Sequence, residues 1–435
     1  PDPLIPIVPG DRLSVASGQN QPVLLRFHTN ENTPAGIYRG AITIKADGQD
    51  DLHLPIEVKV WDFTLPVEQH FTISIPVWGG QMDAMYPNTQ TPERKRAYLD
   101  LLLDYRIDPF PLDNPDDITH AVNRGMRDVL VGCFPNDGVY AERVKGKADA
   151  AAQLKKNGLD KIARTYVLLG DEPVPERWPD IKEQGRLMHE ASPSTQRMNT
   201  VCLYAKVPGK ETLFYEEDVV GAYEDYYKRT YDALKGSVDF FMPAAGSAYP
   251  VEEATKIGRE KKVGLWWYYV GDFVYIPTSG AYGRITFWKH WKYQIPGLLH
   301  WGMNYWGDAN VAGKDGKKWP DVPWDSRSSR GGDGYLVYPA PGGTAYWPSM
   351  RLEIIRDGAE DYEYFYMLNE LNKKLEKGSV NRKSAKAQIA ENKRLLSVEQ
   401  GVVNTYTDAT QDANVILNAR ERIAKAIEAT QKLLK

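Results

Sequence analysis

Cysteine is scarce: Cys133 and Cys202 are the only two among 435 residues. That excludes a disulfide scaffold and a cysteine-based structural zinc site, and it says little about compartment. No apolar run reaches the roughly 18–20 residues that span a bilayer, so no membrane span is expected. Neither sign of charge dominates, because 54 Lys and Arg against 58 Asp and Glu leave a net −4. The charges are spread along the chain and form none of the basic stripes of a nucleic-acid binder. The seven histidines show neither His-x-x-x-His nor His-Glu-x-x-His spacing, and Gly-x-Ser-x-Gly is missing. A zinc hydrolase and a serine-elbow hydrolase are therefore not expected. Asp308–Asp315 offers oxygen ligands without the calcium-loop pattern. No metal and no cofactor is assigned. The sequence opens at Pro1 without an apolar leader, so a signal peptide is expected to have been removed or never present.

What the chain does have is Tyr and Trp. With 26 and 12 copies they outnumber the 11 Phe by more than three to one. Such rings combine an apolar face with a polar edge, which suits stacking on sugars, although large cores use them too. The length predicts two or three domains.

In the first part, Pro22–Thr29, Gly40–Lys45 and Leu52–Val60 alternate apolar and polar positions at period two, with turn chemistry between them. An antiparallel β-sandwich over residues 1–68 is expected, with packing as its role. From Phe71 the grammar changes. Eight short apolar strands follow, at Phe71–Trp78, Ile107–Leu112, Asp128–Phe134, Thr165–Gly170, Gln196–Val201, Val238–Pro243, Val263–Tyr269 and Gly297–Asn304. Helix-length stretches separate them; one opens with Pro92 at its first turn. This is the signature of a (β/α)8 barrel, over residues 69–376. The short second gap, Asp113–Arg127, predicts a helix that is abbreviated or missing. Leu352, Ile355, Ala359, Tyr362, Phe365, Leu368 and Leu371 mark one long amphipathic helix within Tyr346–Glu376. Asn381–Leu396 and Asp412–Leu434 read as two more helices, a C-terminal extension over 377–435 whose charges form a solvated face.

The chemistry concentrates at Leu168-Leu169-Gly170-Asp171-Glu172-Pro173. Two adjacent carboxylates follow the fourth barrel strand, at the rim where barrel enzymes keep their catalytic groups. Pro173 should keep Glu172 extended. Proximity of like charges should raise one of the two pKa values, so that one group donates a proton while the other stays ionised. The bland alternative is a helix N-cap. Other strand ends supply rings: Trp78, then Trp267 and Tyr268, then Trp301, Asn304, Tyr305 and Trp306. For any one ring, core packing and sugar contact stand equally open. The stretch Gly331–Pro339, with Asp333 and Tyr335, is Gly-rich enough to fold over the site. His300 reads as a core histidine, and Arg351 and Glu353 as structural ion-pair residues at the start of the long helix.

Three motifs carry a resemblance. Gly170-Asp171-Glu172-Pro173, Gly332–Pro339 (GDGYLVYP) and Met350–Tyr364 (MRLEIIRDGAEDYEY) are similar to glycoside hydrolase family 123, from residue 1 to about 376. The resemblance implies a β-N-acetylgalactosaminidase built as a β-sandwich plus a (β/α)8 barrel. It also implies retaining, substrate-assisted hydrolysis at Asp171 and Glu172, through an oxazolinium intermediate. The substrate would be an N-acetylhexosamine-containing glycan, and the setting a secreted or periplasmic one in a bacterium. Trp267, Tyr268, Trp301, Asn304, Trp306, Asp333 and Tyr335 are the expected sugar contacts. Two rivals stay open: a β-N-acetylglucosaminidase with the same chemistry, and a non-catalytic carbohydrate-binding protein on a hydrolase frame.

Overall fold

The computed structural model describes residues 2–85, 87, 90–112, 114–135, 138–202, 220–246, 249–306, 331–340, 345–378 and 383–435. Its first elements are β1 (Gly36–Ile44) and β2 (Leu52–Val60), antiparallel, with Gly36 opposite Val60 and Ile44 opposite Leu52. Side chains alternate across a strand. That register therefore gathers Tyr38, Ile42, Ile44, Leu52, Leu54, Ile56, Val58 and Val60 on one face.

Of the expected antiparallel sandwich, the described residues show this hairpin. Residues 22–29 form no strand, and Leu24, Leu25 and Phe27 are exposed. Alternation marks a segment able to pair, and pairing needs a neighbour. Among the described residues Pro22–Thr29 finds no strand partner, although its Arg26 reaches Tyr105 and Glu353.

The barrel runs β3 (Thr72–Pro76), α1 (Gly79–Met85), α2 (Pro92–Asp104), β4 (Asp108–Phe110), α3 (Pro115–Asn123), β5 (Asp128–Cys133), α4 (Tyr140–Lys156), β6 (Arg164–Leu168), α5 (Trp178–Ala191), β7 (Gln196–Val201), α6 (Val220–Leu234), β8 (Phe240–Ala245) and α7 (Val251–Glu260). A split strand, β9 (Gly264–Leu265) and β10 (Trp267–Tyr269), precedes α8 (Gly280–Lys292) and β11 (Gly297–His300). The parallel sheet is ordered β4-β3-β11-β10-β8-β7-β6-β5, with β9 beside β8. It is nearly closed, since only β4 and β5 lack a ladder between them. All eight expected strands are present, and the second gap holds the abbreviated helix α3.

Most strands are largely apolar because both of their faces are covered, although β7 (QRMNTV) buries Arg197, Asn199 and Thr200. Inside the barrel, Phe110, Leu130, Tyr166, Leu168, Met198, Met242, Trp266, Tyr268 and Leu299 form one cluster. The outer faces pack with the helices in a second cluster that includes Ile73, Val129, Val167, Phe241, Trp267 and Leu298. A small hairpin, β12 (Val337–Pro339) and β13 (Tyr346–Pro348), leads into α9 (Met350–Lys377). Ser349 caps α9 by accepting from the Leu352 N–H at 3.1 Å, a typical N-cap bond.

The extension, α10 (Lys383–Leu396) and α11 (Ala413–Leu434), packs on α9. Buried Asn392 donates to Asn372 Oδ1 at 3.1 Å and to Thr430 Oγ1 at 3.0 Å, tying the three helices together. The stronger tie is Asp361, buried on α9. It accepts from Arg284 on α8 at 2.7 and 2.8 Å and from the Trp288 indole at 2.9 Å. Arg420 of α11 lies 2.6 Å from it as an ion pair. Removing the acid breaks both pairs and leaves Arg284 and Arg420 only the longer contacts to Asp357 and Glu360. Asp361→Ala should therefore cost about 3–5 kcal/mol, read as a lowered midpoint in denaturant unfolding.

Candidate active site at the barrel mouth

Strand β6 delivers Asp171 and Glu172 to the C-terminal rim after buried Leu168, Leu169 and Gly170. The next helix, α5, begins at Trp178 and its N-cap is Arg177. Neither carboxylate caps a helix, so the bland reading fails.

The local geometry hangs on Thr200, near the end of β7. Its hydroxyl donates to Asp171 Oδ1 at 3.0 Å and accepts from the Glu172 N–H at 2.7 Å. The expectation of an extended Glu172 is corrected here, because its φ is +44°. The preference imposed by Pro173 yields to that hydrogen bond, which turns the chain at Glu172. Arg106, Lys262 and Gln294 also have positive φ, but each follows a helix, where this conformation is an ordinary ending. Glu172 adopts it after a strand, at a cost of about 1–3 kcal/mol. Such strain tends to collect at functional sites.

Asp171 meets solvent along part of its side chain. Even so, the surrounding rim withdraws enough water to raise its pKa, and the Thr200 hydrogen bond opposes that rise. The cause is loss of solvation, not the neighbouring Glu172 that the sequence pointed to. The two carboxylates in turn act on their surroundings. The Tyr268 hydroxyl is held protonated, first by burial and then by the charges of Glu172 and Asp171. Burial pushes the Tyr226 hydroxyl up to about 12, with Glu172 adding to the rise. The Cys133 thiol also rises to about 12, by burial and the charge of Asp171. The site therefore pairs acids with neutral hydroxyl donors. Thr200, Tyr226 and Cys133 escaped the sequence reading. Their signal is a polar residue at or near the C-terminal end of a strand for Thr200 and Cys133, and none for Tyr226.

The other expected contacts divide. Tyr268 points into the barrel and faces the carboxylates, whereas Trp267 faces outwards. Its indole donates to Thr255 Oγ1 at 3.0 Å, and its ring packs on His290 and Tyr406. Trp306 is buried, donates to the Val337 carbonyl at 2.9 Å and stacks on Tyr346. Tyr335 is buried edge-on to Tyr338, with the Arg351 guanidinium over its ring. These three rings pack in the core and do not line the mouth. Asn304 spends its amide on the main chain of Trp78, accepting at 2.7 Å and donating at 3.2 Å. Asp333 accepts from the Trp301 indole at 2.8 Å. Both polar groups hold rings that reach the rim.

The Gly-rich stretch forms part of the wall instead of folding over the site. Gly334 has φ +80°, and a Cβ there would come within 2.2 Å of the Trp301 ring. His300 is buried, with Nδ1 3.1 Å from the Tyr269 carbonyl, and burial lowers its pKa to about 4. Arg351 is a structural residue, as expected: it pairs with Asp2 at 2.8 Å and donates to the carbonyls of Val274 and Gly332. Glu353 pairs with Arg356 at 2.6 Å and accepts from Tyr105 at 2.6 Å. Asp308–Asp315 lies outside the described residues, and no cluster of three or more His, Cys, Asp or Glu suited to a metal occurs among those described.

Thr200→Val removes the donor that lowers the Asp171 pKa. Asp171 should then ionise at higher pH, and the acid limb of the kcat/KM profile should move upwards. Thr200→Ser should restore it. The check is the pH profile of each variant.

Residues 215–368 match the model of the glycoside hydrolase 123 catalytic domain. No curated protein matches the chain. A family 123 glycoside hydrolase from Clostridium perfringens, described for glycolipid glycan hydrolysis, superimposes with a TM-score of 0.56 at 14% identity, over 92% of this chain and 77% of that one. An endo-β-1,4-mannanase from Thermotoga petrophila gives 0.40 at 12% identity, over 68% and 77%. β-Glucuronidase 3 from Bacteroides uniformis gives 0.38 at 12% identity, over 74% and 42%. The matched stretch runs through Tyr268, Trp301 and Asp333 into α9, and Asp171 and Glu172 precede it on the same barrel. Over residues 215–368 the chain is therefore similar to the catalytic domain of glycoside hydrolase family 123.

Proposed function

We propose that this glycosidase releases β-linked N-acetylgalactosamine by retaining, substrate-assisted catalysis. The observation that carries the reading is the anchoring of two adjacent carboxylates by one hydroxyl, that of Thr200. A retaining enzyme with its own nucleophile needs two carboxyl groups about 5–5.5 Å apart, flanking the bond. Consecutive residues on one strand end approach the sugar from the same side. They suit a reaction in which the substrate's 2-acetamido oxygen attacks C1.

In this reading Glu172 protonates the leaving oxygen as C1–O breaks. Asp171, oriented by Thr200, accepts the amide N–H and stabilises the positive charge that develops on the oxazolinium ring. Water then opens the ring with Glu172 as base, which returns the proton. Tyr268, neutral and buried beside both acids, is available as a donor to the acetamido group or to a ring hydroxyl. Asp171 must be ionised, so its raised pKa sets the acid limb of activity.

Glu172→Gln should slow substrates with poor leaving groups by roughly 10²–10⁴-fold. Activated aryl glycosides, whose departure needs no acid, should suffer far less. Equal losses on both would remove Glu172 from the acid role. A β-galactoside without the 2-acetamido group should not turn over, and a thiazoline analogue of the intermediate should inhibit competitively. Asp171→Asn should lose roughly 10²–10³-fold on good and poor leaving groups alike. A glycosyl ester on Asp171, seen by mass spectrometry, would overturn the mechanism.

A further inference from the structure

Trp78, just after β3, is the one exposed tryptophan among the described residues, 42% accessible. Yet it is clamped on every polar atom. Its main-chain N–H donates to Asn304 Oδ1 at 2.7 Å and its carbonyl accepts from Asn304 Nδ2 at 3.2 Å. Its indole N–H donates to the Trp301 carbonyl at 3.2 Å. The ring meets Tyr305 edge-on, with centroids 6.0 Å apart. Trp301 is in turn fixed by Asp333. Gly79 and Gly80 follow, and a methyl at either would meet nothing within 4 Å. An exposed indole, immobilised before any ligand arrives, loses little freedom on binding.

Its position assigns the part of the substrate it meets. Between β3 and β6 lie two strands on one side of the barrel and four on the other. Trp78 and Glu172 therefore follow strands on different sides of the mouth, three strand steps apart by the shorter way round. With the Glu172 proton directed to the oxygen on C1, the opposite end of the sugar ring, C3 to C6, reaches towards Trp78. In the galacto configuration the 4-hydroxyl is axial, which leaves the C–H bonds of C3, C4, C5 and C6 together on the other face. In the gluco configuration the equatorial 4-hydroxyl breaks up that patch. A flat indole rewards the first and is indifferent to the second.

The geometry points to Trp78 as the residue that selects N-acetylgalactosamine over its 4-epimer, an inference that rests on the hexosaminidase reading above. The contact is aromatic stacking on the apolar face of the galacto ring, and the polar residues behind it are positioning residues.

The experiment compares aryl β-N-acetylgalactosaminide and aryl β-N-acetylglucosaminide on the wild type, Trp78→Ala and Trp78→Phe. Trp78→Ala should lower kcat/KM for the galacto substrate about tenfold, mainly through KM, as expected for one lost aromatic contact. The gluco substrate should change by less than about twofold, and Trp78→Phe should keep most of the preference. Should Trp78→Ala fail to fold, judged by its melting transition, Trp78→Leu keeps the bulk without the π face and carries the same expectation. Equal losses on both epimers, or no loss on either, would overturn the inference while leaving the catalytic reading intact. If the wild type turns over neither epimer, the catalytic reading fails. Calorimetric titration with the two free N-acetylhexosamines then decides, and a galacto affinity unmoved by Trp78→Ala overturns the inference.

Discussion

At the centre of the mouth one hydroxyl sets two things at once. Thr200 Oγ1 donates to the carboxylate of Asp171 and accepts from the amide of Glu172, so the direction of one acid and the backbone turn of the other are coupled. A threonine on β7 can do this because the parallel ladder between β6 and β7 brings the two strand ends side by side. The strain at Glu172 is held by packing that extends to the strand behind it. The geometry of the two acids is thus inherited from barrel register, and a change that slides β7 against β6 would disturb both together.

The barrel sorts the remaining side chains by parity. Trp266 and Tyr268 point inwards and Trp267 and Tyr269 outwards, so neighbours in sequence serve separate ends. Trp267 stiffens the joint between strand and helix, while Tyr268 faces the acids. At the rim a second layer works behind the first. Asp333 and Asn304 touch rings instead of sugar, and their hydrogen bonds remove motion from Trp301 and Trp78. The positions of these rim rings then depend on polar groups packed behind them.

Much of the frame was legible. Strands buried on both faces must be largely apolar, so Asp128–Phe134 and Gly297–Asn304 announce themselves. The run from Leu352 to Leu371 shows its helix by spacing alone. Legibility stops where structure depends on a distant partner. Pro22–Thr29 alternates correctly and pairs with no described strand. The conformation of Glu172 was misread from Pro173, because the deciding hydrogen bond comes from Thr200, 28 residues away. Trp306 and Tyr335 looked like rim aromatics, and only the packing of β12, β13 and α9 shows them to be buried. Trp267 is different: its parity with Leu298 and Phe241 was available, and the cluster of four rings obscured it.

Asp361 has a consequence for the order in which the chain is made. It sits on α9, after the last barrel strand, and its neighbours come from α8 and from α11. During synthesis the strands and α8 emerge first, with Arg284 already opposite the acid. Arg420 follows later, on α11. Until then the outer seam of the barrel carries a buried carboxylate with part of its cationic environment missing. Helices α10 and α11 therefore dock after the barrel strands, and the cluster around Asp361 is complete only once α11 has been made.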